Sequence, residues 1–255
     1  MRNNQWYGWR PDLPDHRDRR YALRRGGAAL PPAVDLRALC PPIYDQGSLG
    51  SCTGNAIAAA IQFDLIRQQE SSDTPSRLFI YYNERVMEGT VSEDAGAEIR
   101  DGIKSVATLG APPETDWPYN VAQFAAKPPD PVYVTALSDK VLTYERIDNT
   151  QLDLMKDCLV AGLPFVFGFT VYESFESEAV AQSGVVELPA SGEQVVGGHA
   201  VMCVGYDDAT GRFIVRNSWG VDWGKEGYFT MPYAYLTNQN LADDFWAIQT
   251  MGSRE

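Results

Sequence analysis

The sequence predicts an α+β protein with two unlike lobes, and three observations carry that reading. Across residues 52–109 apolar side chains recur every three or four positions, the period of helices with one buried face. From about residue 132 onward the chain turns to runs of β-branched and aromatic residues, the composition of strands. Between them, residues 111–131 are rich in proline, which reads as the crossing from one lobe to the other. Helices first and strands later is the order of an α+β fold, not of alternating βαβ units.

The elements follow in order. Residues 1–31 carry Trp6, Tyr7 and Trp9 among proline and charge, without a helical or strand period. Aromatic burial is worth enough for such a segment to dock on the body. Arg24-Arg25-Gly26-Gly27-Ala28-Ala29 then reads as a flexible connector open to proteases. Leu30-Pro31-Pro32-Ala33-Val34-Asp35-Leu36-Arg37 reads as an extended leading strand. Ser51 is placed as N-cap of a first helix, with Ile57, Ile61 and Leu65 around Ala58-Ala59-Ala60. A second helix runs from Ser76 to a stop at Gly89. A third runs from Ala97 to Leu109, with Gly110 as its C-cap.

Beyond residue 132, Val141-Leu142-Thr143-Tyr144 is a strand, and Thr150 with Asp153 suggests a capping box before a short helix. Further strands are expected around Phe165 to Val171, Ala200 to Tyr206, Phe213 to Arg216 and Gly227 to Met231. Asp207-Asp208-Ala209-Thr210-Gly211 supplies a hairpin turn between two of them. The divisions expected are 1–31, a short pro-segment or cleft cover; 32–131, a mainly helical lobe; and 132–255, a mainly β lobe.

Composition narrows the function. With 255 residues and 44% hydrophobic residues the chain can bury a full core. A net charge of −13 and a pI near 4.6 argue against nucleic acid and anionic membranes, whose phosphates need clustered Lys and Arg. No apolar run approaches the ~20 residues of a membrane span, and the first residues lack a signal-peptide core. Four cysteines are too few for a disulfide scaffold. A cytoplasmic location, or export by a route that reads no N-terminal signal, is therefore expected.

The chemistry centres on Asp45-Gln46-Gly47-Ser48-Leu49-Gly50-Ser51-Cys52-Thr53-Gly54-Asn55. A glycine-broken loop delivers Cys52 into a first helical turn, where unpaired N–H groups and the helix dipole lower a thiol pKa. A nucleophilic cysteine needs a base, and the chain has two histidines. His16 lies in the irregular N-terminal segment. His199 opens a strand after Gly197-Gly198, where small residues admit a ligand close to the backbone. Asn217, ending the next strand, lies within reach to fix the imidazole tautomer. A zinc site of Cys52, His199 and Cys203 is the chemical rival. However, the segment holding His199 and Cys203 is β in composition, which spaces them by roughly 13 Å, too far for one ion.

These residues resemble the papain-like cysteine peptidases. The motifs are Gln46-Gly47-Ser48-Leu49-Gly50-Ser51-Cys52, then Gly198-His199-Ala200-Val201 with Val204-Gly205-Tyr206. Asn217-Ser218-Trp219-Gly220-Val221-Asp222-Trp223-Gly224-Lys225-Glu226-Gly227-Tyr228 is the third. The resemblance implies a two-lobed fold, a helical lobe and a β-barrel-like lobe, with the active-site cleft between them. It implies Cys52 as nucleophile, His199 as general acid and base, Asn217 as the group orienting the imidazole, and Gln46 as an oxyanion donor. Trp219 is similar to the indole that shields the Asn–His hydrogen bond.

For substrate binding, Asp94 and Gly96 resemble the segment that hydrogen-bonds an extended peptide. Gly168 and Gly198 resemble positions at the pocket for the second residue before the scissile bond, and a glycine wall implies a roomy, apolar pocket. The resemblance implies no metal or organic cofactor, a peptide or protein substrate, and a monomer. Thr53 in place of the usual aromatic, and Leu49 in place of a bridging cysteine, point to a divergent, disulfide-poor, bacterial branch. The expected activity is a cysteine endopeptidase; a thiol deamidase or transamidase, or a non-catalytic peptide-binding module, are the alternatives. The N-terminal segment is expected to cover the cleft, and either it or residues 183–196 would be the element that blocks one end in an exopeptidase.

Overall fold

The computed structural model describes residues 7–24, 29–71, 73–136 and 141–251. In chain order the elements are β1 (Trp9–Arg10), β2 (Ala33–Asp35), α1 (Cys52–Arg67), α2 (Arg77–Glu88), β3 (Ala97–Glu98), α3 (Ile99–Leu109) and α4 (Asp130–Ala136). There follow β4 (Val141–Arg146), α5 (Leu152–Val160), β5 (Phe165–Tyr172), α6 (Glu178–Ser183), β6 (Val195–Asp207), β7 (Arg212–Arg216), β8 (Tyr228–Pro232), α7 (Tyr233–Leu236) and β9 (Ala242–Met251). Among the described residues no helix is long and apolar enough to cross a membrane.

The β half is an antiparallel sheet in the order β4-β9-β5-β6-β7-β8, an open path, with β2 laid on β6. β6 is long enough to change partners, pairing β5 through its first half and β2 and β7 at its end. The two-residue side-chain period divides the sheet's faces. Phe165, Phe167, Phe169 and Val171 of β5, with Val201 and Cys203 of β6, enter one cluster with Met155, Leu159 and Phe229. The alternate residues, Val166, Ala200, Met202 and Val204, face α1 through Ile57, Ala58, Ala59 and Ile61. Alanine permits that close seat, and α1 is buried from Cys52 through Asp64. A third cluster joins Leu49, Leu78, Phe79, Tyr81 and Trp117 to Val132 and Ala136, so packing on the helical side continues past residue 131 into α4.

Several local expectations hold. Ser76 caps α2 by accepting from Phe79 N–H, and Gly89 ends it at φ 73°. Four differ. Ser51 makes no side-chain cap; its hydroxyl meets Tyr119 at 2.5 Å and accepts from Asn55 Nδ2 at 3.0 Å. Gln151, not Thr150, precedes α5, and the Thr150 hydroxyl donates to Asp148 at 2.6 Å, so no capping box forms. Ala97 and Glu98 form β3, not the start of α3. His199 stands inside β6, because the strand begins at Val195 despite the paired glycines.

Candidate active site

Cys52 begins α1, and its side chain is fully buried. The loop that delivers it is tied from outside: Gly50 N–H donates to both carboxylate oxygens of Asp94 at 3.0 Å, and the Tyr81 hydroxyl donates to the same carboxylate. Asp94, expected to face substrate, therefore braces the cysteine loop. The sheet meets the cysteine directly, since Ala200 N–H on β6 donates to Cys52 Sγ at 3.4 Å.

His199 precedes that residue and, by strand alternation, turns to the opposite face. There it stacks on Trp219, ring centroids 4.9 Å apart at 28°, with Phe169 against its edge. His199 Nε2 lies 2.8 Å from Asn217 Oδ1, which also accepts from Ser218 N–H at 2.8 Å. Trp219 covers this pair and is itself 6% exposed. The Ser218 hydroxyl donates to Gln46 Oε1 at 2.6 Å, and Gln46 Nε2 donates to Leu49 O at 2.9 Å. One tripeptide, Asn217-Ser218-Trp219, thus orients both the imidazole and the Gln46 amide. Ser218 was not singled out from the sequence; its place between Asn217 and Trp219 was the available signal.

The cleft is occupied by the chain's own N-terminal segment. Tyr7 packs on His199 and Trp219 with centroids 5.9 Å from each, and its hydroxyl donates to Glu176 at 2.9 Å. Gly8 crosses the cysteine loop, where a Cβ would stand 1.7 Å from Gly50 O. Its carbonyl, on the other side, accepts from Ala97 N–H at 2.7 Å, and β1 runs on parallel to β3. Gly96 allows this approach: a Cβ there would lie 2.1 Å from Gly8 O. Trp9 then lies flat on the two expected pocket glycines. A Cβ on Gly168 would stand 1.9 Å from Trp9 Cε2, and one on Gly198 2.8 Å from Cε3.

Behind Trp9 lies a cluster of charges that sequence reading missed. Asp244 Oδ2 accepts from Trp9 Nε1 at 3.0 Å and from Asp12 N–H at 2.8 Å. Asp12 accepts from Trp246 Nε1 at 3.0 Å and from Arg100 N–H at 3.1 Å. Arg146 reaches Asp244 at 2.9 Å and Asp243 at 2.8 Å, while Arg100 holds Asp18 at 2.6 Å. Burial and the mutual repulsion of Asp12 and Asp244 push Asp244 up to about 7, and burial raises Asp12 as well. Trp6 and residues 25–28 of the connector lie outside the described residues.

The expected low thiol pKa is not met in this closed state. Burial pushes Cys52 up to about 12, although the N–H groups of Ala200, Gly8 and Thr53 pull it down. Thr53 donates to buried Glu84 at 2.6 Å, and burial moves Glu84 up to about 8. All four cysteines are free, and the Cys203 thiol turns into the core toward Gly205 O at 3.6 Å. The start of the 183–196 stretch lies along β8, where Val186 N–H donates to Thr230 O.

A cysteine at a helix start, met by a strand bearing an asparagine-held histidine between a helical and a sheet half, defines a two-lobed, thiol-dependent hydrolase. The comparisons with known proteins make this specific. The model of the papain family of cysteine proteases matches residues 30–245, and the chain belongs to that family. It is a cysteine peptidase acting on peptide or protein substrates. An uncharacterized peptidase C1-like protein of Acanthamoeba polyphaga mimivirus is 49% identical over 213 residues, covering 80% of this chain and 68% of its own. The crystal structure of xylellain, a cysteine protease from Xylella fastidiosa, matches with a TM-score of 0.91 and 46% identity over 98% of both chains. A digestive procathepsin L 3 of Tenebrio molitor shares the fold, with a TM-score of 0.70 at 19% identity over 96% of this chain and 76% of its own.

Proposed function

We propose that the chain is a latent cysteine endopeptidase whose residues 7–24 keep its own cleft closed. Cys52 is the nucleophile: its sulfur attacks the scissile carbonyl carbon, and the carbonyl oxygen takes the negative charge. Gln46 Nε2 and the Cys52 N–H stabilise that oxygen, each such donor being worth about 3 kcal/mol. His199, oriented by Asn217, transfers its proton to the leaving amine, giving a thioester. It then takes a proton from the water that hydrolyses the thioester and frees the thiol. Trp219 keeps water from the His199–Asn217 bond.

One observation carries the latency: Gly8 crosses the cysteine loop with its carbonyl drawn to Ala97, while Tyr7 packs on His199. A thiolate attacks a carbonyl carbon, and the Gly8 carbonyl is turned to β3, so the segment occupies the cleft without being cut at the Gly8–Trp9 bond. The burial of the Cys52 side chain, which raises its pKa, supports the same reading.

The test is labelling by an epoxide thiol inhibitor, followed by mass. The chain lacking residues 1–28 should label stoichiometrically at neutral pH and hydrolyse a small peptide faster than the full chain. Cys52→Ala should do neither. Equal kinetics with and without the segment would refute latency, and failure of the shortened, folded chain to label would refute the catalytic role.

A further inference from the structure

We infer that Asp244 makes this cleft select peptides with tryptophan as the second residue before the scissile bond, a reading that rests on the peptidase assignment above. Three observations converge on this side chain. First, the pocket's shape is set by an indole. Gly168 and Gly198, on neighbouring strands and one face of the sheet, leave bare backbone under Trp9, which is 8% exposed there.

Second, the pocket ends on a carboxylate aimed by a backbone irregularity. The β5–β9 register slips between Val166 and Gly168, which pair Trp246 and Asp243. Asp244 falls in the slip at φ 58°, a left-handed conformation uncommon for a residue with a side chain. Bulges beside active sites redirect side chains in this way. Asp243 Oδ1 accepts from Asp244 N–H at 2.7 Å and holds the turn.

Third, the carboxylate's bonding is divided between body and segment. Oδ1 accepts from Arg146 on β4, which stays. Oδ2 accepts only from donors of the segment among the bonds described, Trp9 Nε1 and Asp12 N–H, so both depart when the cleft opens. An acceptor built for an N–H donor then faces the substrate pocket. A site of that kind rejects side chains lacking the donor far more strongly than it rejects a change of size.

Arginine is the competing occupant: Arg146 and Arg100 lose Asp12 and Asp18 when the segment leaves, while Asp243, Asp244 and Glu98 stay. Arg146 already takes Oδ1, so one oxygen remains, which suits the single N–H of an indole and denies a guanidinium its paired contact. Phenylalanine and leucine fit the walls but leave Oδ2 without a donor.

The experiment uses full-length Trp9→Ala, which vacates the pocket, and fluorogenic peptides differing only in tryptophan, phenylalanine, leucine or arginine at that residue. We expect kcat/KM for tryptophan to exceed each of the others at least tenfold. In Trp9→Ala combined with Asp244→Gly, whose backbone suits φ 58°, the tryptophan-to-phenylalanine ratio should fall to about threefold or less. Should Trp9→Ala not yield folded protein, the chain lacking residues 1–28 leaves the same pocket empty and reads the same ratios. Cleavage with phenylalanine, leucine or arginine equal to tryptophan, or a ratio untouched by Asp244→Gly, overturns the inference while leaving the peptidase. No cleavage and no Cys52 labelling in either background overturns both.

Discussion

Closure of the cleft should take up a proton, so acid should tighten the latch. The groups facing Asp244 are Asp12 and Asp18 from the segment, Asp243 on its own strand, Arg146 on β4, Arg100 on α3 and Glu98 on β3. In the closed state Asp244 is pushed up to about 7, by burial first and Asp12 second. When the segment leaves, Asp12 goes and burial lessens, while Asp243 and Arg146 remain, so the carboxyl returns toward its ordinary 3.8. The closed form therefore has the raised pKa. Its stabilisation is full below the open-state value and is lost as pH rises through about 7. Between those limits the closing constant changes about tenfold per pH unit. From pH 5 to pH 7 closure should weaken roughly fiftyfold, with little further change above.

The assay is the second-order rate of Cys52 labelling from pH 5 to 8, in the wild-type chain and in Asp244→Asn. The amide is neutral throughout, so the variant keeps the contributions of Asp12 and Glu98 and removes only that of Asp244. The thiol's own titration and reagent chemistry cancel in the ratio. Wild-type over Asp244→Asn should climb by roughly fiftyfold between pH 5 and 7 and then level off. A ratio flat within about twofold, or one that climbs toward acid, would refute proton uptake on closing.

Two other perturbations separate the latch from the chemistry. Gly168→Ala places a methyl 1.9 Å from the Trp9 ring, so Trp9 must leave, and labelling of Cys52 in the full chain should rise at least tenfold by the mass assay. Gln46→Ala removes a donor from the carbonyl oxygen that becomes charged. On the shortened chain it should lower kcat by about 10² to 10³ with KM changed less than about threefold, read by steady-state peptide hydrolysis. A fall confined to KM would assign Gln46 to substrate binding instead.

What was legible in the sequence is what local chemistry dictates. Ser76 and Gly89 bounded α2 because a cap and a left-handed stop act within a few residues. Cys52, His199 and Asn217 were legible because a helix start and two strand positions narrow where a base can stand. Gln46 needed the family resemblance, since its role depends on Ser218 reaching it across 172 residues. A cover over the cleft was expected from the segment's aromatics, but the contacts that hold it were not legible, for the same reason. Asp12 meets Asp244 across 232 residues, and nothing in Pro11-Asp12-Leu13 says that its carboxylate is buried between two arginines and an indole. Ser51 was misplaced because Tyr119, a distant partner, claims its hydroxyl before the helix can, and the tie of the Asp94 side chain to Gly50 was likewise beyond local reading. Thr53 stands where an aromatic was expected because its hydroxyl serves the buried Glu84.

Latency and selectivity meet in one carboxylate, and that fixes how the two must depend on each other. Trp9 holds the cleft shut with the bond to Asp244 that an incoming side chain would use, so a substrate side chain that matches it also competes with the latch. The proton works on both. A neutral Asp244 goes with closure, whereas an ionised Asp244 is the stronger acceptor for a ring N–H, because hydrogen bonds to charged groups exceed neutral ones about twofold in strength. Rising pH thus releases the segment and sharpens the pocket in the same titration. A chain in which opening were driven by a residue remote from the pocket would open without changing what it prefers to cut. Here the protonation that governs access also governs choice, since Asp12 and the substrate side chain take turns beside the same oxygen.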